Sequence, residues 1–165
     1  MARLKRLVPP PAIDPPGMRR AARVRVIYGD TDKMGVVYHG TYLRYLEHGR
    51  VEHMRALGLR YVALEARGFG LPVIDIAVSY YAPARYDDLV SVRVAVAEVT
   101  WARLRFVYHL CVEPGDRAGL DARVDVLRAE SVHCCTELAS GRPTRLPEEV
   151  LDLLTDHDGD PSPPP

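Results

Sequence analysis

Between Tyr28 and Tyr42 the chain reads Tyr-Gly-Asp-Thr-Asp-Lys-Met-Gly-Val-Val-Tyr-His-Gly-Thr-Tyr, which puts Asp30, Asp32 and His39 within a dozen residues. These residue types can do acid–base or nucleophilic work: a carboxylate takes a proton or attacks an electrophile, and an imidazole carries a proton near neutral pH. The segments around them must hold them still. Upstream, Val24, Val26 and Tyr28 alternate with Arg23 and Arg25, the period of a half-buried strand. Downstream, Tyr42, Tyr45, Leu46, Gly49, His53 and Leu57 recur at helical spacing, with Gly58 in the place of a helix-terminating glycine. The motif therefore sits at a strand-to-helix junction, where the unpaired N–H groups of the first helical turn can bind an anionic or oxyanionic species.

In order and spacing, Tyr28, Asp30, Thr31, Asp32, Gly35, Val36, Val37, Tyr38, His39, Tyr42, Tyr45, Glu47 and Arg50 resemble the signature of the 4-hydroxybenzoyl-CoA-thioesterase-like hotdog proteins. Within that group the chain is most similar to the Tol-Pal-associated acyl-CoA thioesterases, which carry a similar Tyr-His pair. The resemblance continues through Tyr81-Ala-Pro-Ala-Arg-Tyr-Asp-Asp88 and Gly141-Arg-Pro-Thr-Arg-Leu-Pro147, and so spans residues 22 to 154. It implies an acyl-CoA thioesterase with no metal or redox cofactor, in which Asp32 is the catalytic carboxylate and the amide of His39 polarises the thioester carbonyl. Those roles agree with the local physics. A thioester needs a nucleophile, or a carboxylate that activates water, on one side and hydrogen-bond donors for the developing oxyanion on the other. Asp32 suits the first role and backbone N–H groups near His39 and Gly40 the second, and a glycine at position 40 lets a substrate approach the main chain.

Each residue also has a structural reading. Asp30 and Thr31 are expected to cap the turn through side-chain-to-backbone bonds. His39 contributes either its side chain, orienting substrate or moving a proton, or only its amide. Tyr38 is assigned to the pocket wall; Tyr42 is carried as a substrate-binding candidate, although packing of the helix is the first role of both Tyr42 and Tyr45. Gly49 suggests close helix-to-sheet contact. Glu47 and Arg50 stand three apart on the helix and are expected to pair, as is Arg44 with Glu47 or His48. Arg85, Arg103 and Arg105 are candidates for the phosphates of CoA or for the phosphopantetheine of an acyl carrier protein, since guanidinium forks match phosphate oxygens. His109 and His133 read as packed or solvent-facing, having no neighbour at metal-ligand spacing.

Twenty-two basic and twenty-two acidic side chains cancel, which gives no support to nucleic acid or an anionic membrane surface as the main partner. Cys111, Cys134 and Cys135 are odd in number and lie in apolar segments; they read as reduced, packed thiols of a cytoplasmic protein. No run reaches the roughly 18 apolar residues of a membrane span, and the N-terminus lacks the apolar core of a signal peptide. Residues 1–20, with five prolines, are expected to form a disordered arm, residues 21–155 the hotdog domain, and residues 156–165 a disordered tail.

The rest of the chain reads as antiparallel sheet. Ile74, Ile76, Val78 and Tyr80 form one alternating face, Val90 to Val96 a second, and Leu104 to Val112 a third. A fourth run, Val124 to Leu138, is interrupted by Arg128 and Glu130, and Pro147 opens a short closing helix. One long helix and several strands make an α+β domain; the hotdog topology, a sheet wrapped around the helix, is what the resemblance implies. It also implies a homodimer, or a homotetramer built from dimers, with pockets at the subunit boundary. An outer strand, for which Leu104–Val112 or a neighbour is the candidate, would otherwise expose its backbone. Two other function classes stay open: a non-catalytic acyl-CoA or acyl-carrier binding module, and a hotdog dehydratase using His39 and Glu47, for which the His-Phe-Pro-type loop is absent.

Overall fold

The computed structural model describes residues 14–158, the last four by backbone alone. Its elements are β1 (Arg19–Arg25), α1 (Thr41–Ala56), α2 (Tyr61–Ala66), β2 (Phe69–Gly70), β3 (Val73–Tyr80), β4 (Leu89–Val99), β5 (Arg103–Val112), β6 (Val124–Cys134), β7 (Thr136–Glu137) and α3 (Glu148–Asp158). Five strands form one antiparallel sheet in the order β1-β4-β5-β6-β3, and β2 pairs with β7 in a small separate ribbon.

The alternation read from the sequence places one apolar row on the face toward α1. Val90, Val92, Val94 and Val96 pair with Val112, Leu110, Tyr108 and Phe106, and all eight are buried. The helix lies against β1 and β4. It can do so because residue 49 is glycine: a Cβ there would stand 2.4 Å from Val92 Cγ1 and 3.2 Å from Val94 Cγ2. Beyond Leu57, Gly58 takes a positive φ of 96°, which ends the helix at little steric cost. On the same face Leu127, Ala129, Ser131 and His133 of β6 are buried, whereas Ile76 and Tyr80 of the outer strand β3 remain exposed.

Several expectations are corrected here. Leu104–Val112 is the central strand of the sheet rather than an outer one; the outer strands are β1 and β3. A strand apolar on both faces has to be central, and Val107, His109 and Cys111 on the second face of β5 are buried as well. Tyr28 belongs to a 3₁₀ turn, Tyr28–Asp30, and not to the first strand. That strand starts at Arg19, inside the segment expected to be a disordered arm, and Asp14 is tied to the outer face of the sheet by Arg93 at 2.5 Å, Arg128 at 2.8 Å and His109 at 3.0 Å. Residues 1–13 lie outside the described residues. At the other end α3 continues to Asp158, past the expected boundary, and the rest of that tail, residues 159–165, lies outside the described residues. The polar residues of the fourth run have simple reasons: Arg128 meets Asp14 on the outer face, and Glu130 accepts from Arg105 at 3.2 Å. Among the described residues no helix is long and apolar enough to cross a membrane.

Candidate active site

The turn after β1 is built around Asp30. Its carboxylate, 3% exposed, accepts the Ile27 N–H at 3.2 Å, Arg44 Nη2 at 2.5 Å and the Tyr45 hydroxyl at 2.7 Å. Its carbonyl oxygen accepts the Tyr38 N–H at 2.9 Å. Burial and the neighbouring carboxylate raise the pKa of Tyr45, so its hydroxyl stays a donor. The capping role read for Asp30 is therefore what the structure shows, and Asp30 rather than Glu47 or His48 takes Arg44. Thr31 adds a hydroxyl bond to the Tyr28 carbonyl at 2.9 Å.

Two residues on, Asp32 closes a tight turn. Its N–H donates to Val36 O and its carbonyl accepts the Gly35 N–H, both at 2.9 Å, while Gly35 holds a φ of 73° that a side chain would disfavour. Asp32 Oδ1 accepts the Met34 N–H at 2.8 Å, and Oδ2 has no protein partner among the described residues. The turn is clamped to the β3–β4 connection: Val37 N–H bonds Ala84 O at 2.9 Å, Val36 bridges Arg85, and Ala84 N–H donates to the Tyr42 hydroxyl at 3.1 Å.

The outcome is a cavity of about 280 Å³ bordered by Asp32, Val36, His39, Tyr42, Tyr80 and Pro83. Asp32, His39 and Tyr42 are thus brought together as the sequence proposed. The cavity lies at the N-terminal end of α1, where Tyr38 N–H goes to Asp30 O, Thr41 N–H to Tyr38 O and Leu43 N–H to Gly40 O. Among the described residues none of these bonds uses the N–H of His39 or Gly40. The arrangement offers a carboxylate oxygen, an imidazole and helix-end amides around one space.

Other candidates fall elsewhere. Tyr38 does not border the cavity. Its ring packs on His39 with centroids 4.2 Å apart and fills the place of a Gly40 Cβ, which would meet it at 2.9 Å. Gly40 thus makes room for Tyr38. Arg85 is exposed beside the Asp32 turn, its N–H bonded to Asp88 Oδ2 at 2.7 Å and its guanidinium without a protein partner among the described residues. Arg103 and Arg105 stand at the opposite end of the sheet, in a groove with Glu98 and Thr100, and Arg105 is held by Glu98 at 3.1 Å and Glu130 at 3.2 Å. Within one chain they do not join the Asp32 cavity, because β5 begins where β4 ends, away from the turn that Asp88 joins to Val26. The expected Glu47–Arg50 pair does not form either; Arg50 turns inward, 93% buried, over the Tyr61 ring. Tyr80 was missed: its hydroxyl donates to His39 O at 3.0 Å and fixes the floor of the cavity. Its signal was an aromatic residue closing an alternating strand just before Tyr81-Ala-Pro83.

Fold and relatives together mark a thioester hydrolase of the hotdog type. The chain belongs to the thioesterase-like superfamily, whose profile matches residues 26–154. It is 33% identical over 128 residues to the acyl-CoA thioesterase YbgC of Haemophilus influenzae, covering 77% of this chain and 88% of that one. It is 30% identical over 132 residues to the putative acyl-CoA thioesterase YneP of Bacillus subtilis, covering 80% and 90%. Among solved structures, the DHNA-CoA thioesterase of Staphylococcus aureus superposes with a TM-score of 0.71 at 27% identity, covering 79% of this chain and 83% of that one.

Proposed function

We propose that this protein hydrolyses acyl-CoA thioesters to a free acid and CoA, with Asp32 as general base or nucleophile and the amides of His39 and Gly40 as oxyanion donors. The observation that carries the reading is that Asp32, whose Oδ2 has no protein partner among the described residues, borders the same cavity as His39, at the N-terminal end of α1. As a base, Asp32 takes a proton from water while the water oxygen bonds to the thioester carbon. The oxyanion then collapses, the C–S bond breaks, and the CoA thiolate leaves and is protonated. Tyr42 and Tyr80 wall the cavity, Tyr38 supports His39, and Arg85 is the arginine placed to meet a CoA phosphate; Arg103 and Arg105 would reach one only from another subunit. No metal or redox cofactor enters this reaction.

The reading places the protein in the cytoplasm as a homodimer, or a tetramer of dimers, joined through β3. That outer strand exposes Val73 and Ile74 at 55% and 52%, and pairing would cover both its apolar side chains and its open backbone edge. Thiol release from a panel of short, medium and aryl acyl-CoAs, with matched acyl-carrier-protein thioesters, tests the function. Turnover of at least one acyl-CoA, lost in Asp32→Asn, is expected. Saturable binding without thiol release from any substrate would make the protein a binding module. Light scattering should give at least twice the 18.4 kDa chain mass, and a fully active monomer would overturn the assembly.

A further inference from the structure

A second cavity, about 390 Å³, follows the first along the seam between α1 and β3. On the helix it begins at Leu43, next to Tyr42, and ends at Arg50, about 10 Å farther along the axis at the rise of an α-helix. On the strand it runs from Ile76, which shares a face with Tyr80, to Val73. Leu43, Leu46, Leu71 and Ile76 make apolar walls. At its far end stands the guanidinium of Arg50.

Arg50 has no ion-pair partner among the described residues. Its contacts are the Met54 sulfur, at 3.8 Å from Nη1, and the Tyr61 ring, at 5.5 Å from Cζ. Glu47 borders the same cavity without pairing with it. Of the remaining polar groups, Tyr61 accepts the Leu71 N–H at 3.0 Å and keeps a neutral hydroxyl donor, while the His133 chain offers none. His133 Nδ1 lies 2.9 Å from the Leu71 carbonyl, which can only accept, so Nδ1 carries the proton and Nε2 accepts. Ser131 must then donate to Nε2 at 2.9 Å, and Tyr108 to Ser131 Oγ at 2.8 Å. Burial, with the Arg50 charge adding to it, pushes the His133 imidazole down to about 4, so it stays neutral at working pH. Every proton of that chain is committed, and Arg50 is the cationic donor of the cavity. A cation taken this far out of water is costly unless an anion completes it.

We propose that this cavity binds the distal part of the acyl group and that Arg50 selects acyl groups ending in a carboxylate, so that thioesters of dicarboxylic acids are the substrate class. The inference rests on the thioesterase reading above. An acyl chain lying on the apolar walls would have its thioester at Asp32 and its far oxygens at the guanidinium, in a charge-assisted pair.

Matched thioesters test this: butanoyl- against succinyl-CoA, hexanoyl- against adipoyl-CoA, and octanoyl- against suberoyl-CoA, by thiol release. Alongside, calorimetry measures hexanoate and hexanamide binding to the whole protein. The expected result is a ten- to hundredfold higher kcat/KM for the carboxylate member at one chain length or more, and hexanoate binding without hexanamide binding. Arg50→Gln should collapse that ratio at least tenfold and abolish hexanoate binding, whereas Arg50→Lys, which keeps the charge, should retain part of each. Hydrolysis of the uncharged thioesters with no preference at any length, or hexanoate binding unchanged in Arg50→Gln, overturns the inference and leaves the thioesterase reading intact. Arg50-dependent hexanoate binding in a protein that releases no thiol would overturn the thioesterase reading and still support the anion site.

Discussion

Asp30 and Asp32 are two residues apart in one turn and share a side-chain chemistry, yet their surroundings are opposite. The Asp30 carboxylate is buried with every oxygen engaged by Ile27, Arg44 and Tyr45. Asp32, which borders the cavity, spends one oxygen on the Met34 N–H and leaves the other without a protein partner among the described residues. A buried carboxylate with both oxygens engaged, one of them by a guanidinium, holds structure; one oriented by a single bond on one oxygen can accept a proton from water on the other. The neighbours set this difference, not the residue type.

Substituting each aspartate in turn should separate the two roles. Asp32→Asn preserves the Oδ1 bond and shape while removing the base, so turnover should fall about two to four orders of magnitude, with unfolding free energy changed by less than about 0.5 kcal/mol. Wild-type turnover in that variant would place the chemistry elsewhere. Asp30→Ala should act in reverse, leaving Arg44, the Tyr45 hydroxyl and the Ile27 N–H without a partner and costing about 3 kcal/mol in urea unfolding. Equal stability of Asp30→Ala and wild type would remove the distinction. His39→Ala keeps the amide and deletes the imidazole. A loss of about a hundredfold in kcat is expected if the side chain orients substrate or moves a proton, and activity within a few-fold would leave the amide alone in the oxyanion role.

The smallest effect concerns a third hydrogen-bonded group, His133. Its imidazole is held down to about 4 by burial and by Arg50, against the opposing bond to Leu71. Because the folded-state value is below that of the unfolded chain, the unfolded chain takes up the proton first. Stability is full above about pH 6.5 and drains as the pH falls toward 4, by about 2 kcal/mol between pH 7 and 4.5. Chemical denaturation at those two pH values should show the loss in wild type and a smaller one in His133→Asn.

Much of the fold was legible because periodicity is local. The α1 stripe from Tyr42 to Leu57, its stop at Gly58 and the valine row of β4 all follow from side-chain spacing that one element imposes on itself. Gly49 was read as a close approach, and the 2.4 Å that a Cβ would leave to Val92 explains why. The short α2 and the β2–β7 ribbon had no such signal: six residues are too few to show a helical period, and a two-residue strand shows no alternation. Strand order was also beyond reach. Alternating faces were recognised in β3 and β5 alike, but which of them lies at the edge depends on pairing partners far away in the chain.

The same division runs through the site. The order of Asp30, Asp32, His39 and Tyr42 around a glycine turn, and the helix that follows, are properties of a short continuous segment, so the amino-acid order alone brings out these candidate groups. Which carboxylate is spent on structure, that Tyr80 reaches His39 O from a strand forty residues on, and that Arg103 and Arg105 lie at the other end of the sheet were settled only by folding. So was the turning of Arg50 into a cavity instead of toward Glu47. Each of these depends on desolvation and on partners distant in sequence, and a side chain's free lone pairs and unmet charge can be counted only once those partners have closed around it.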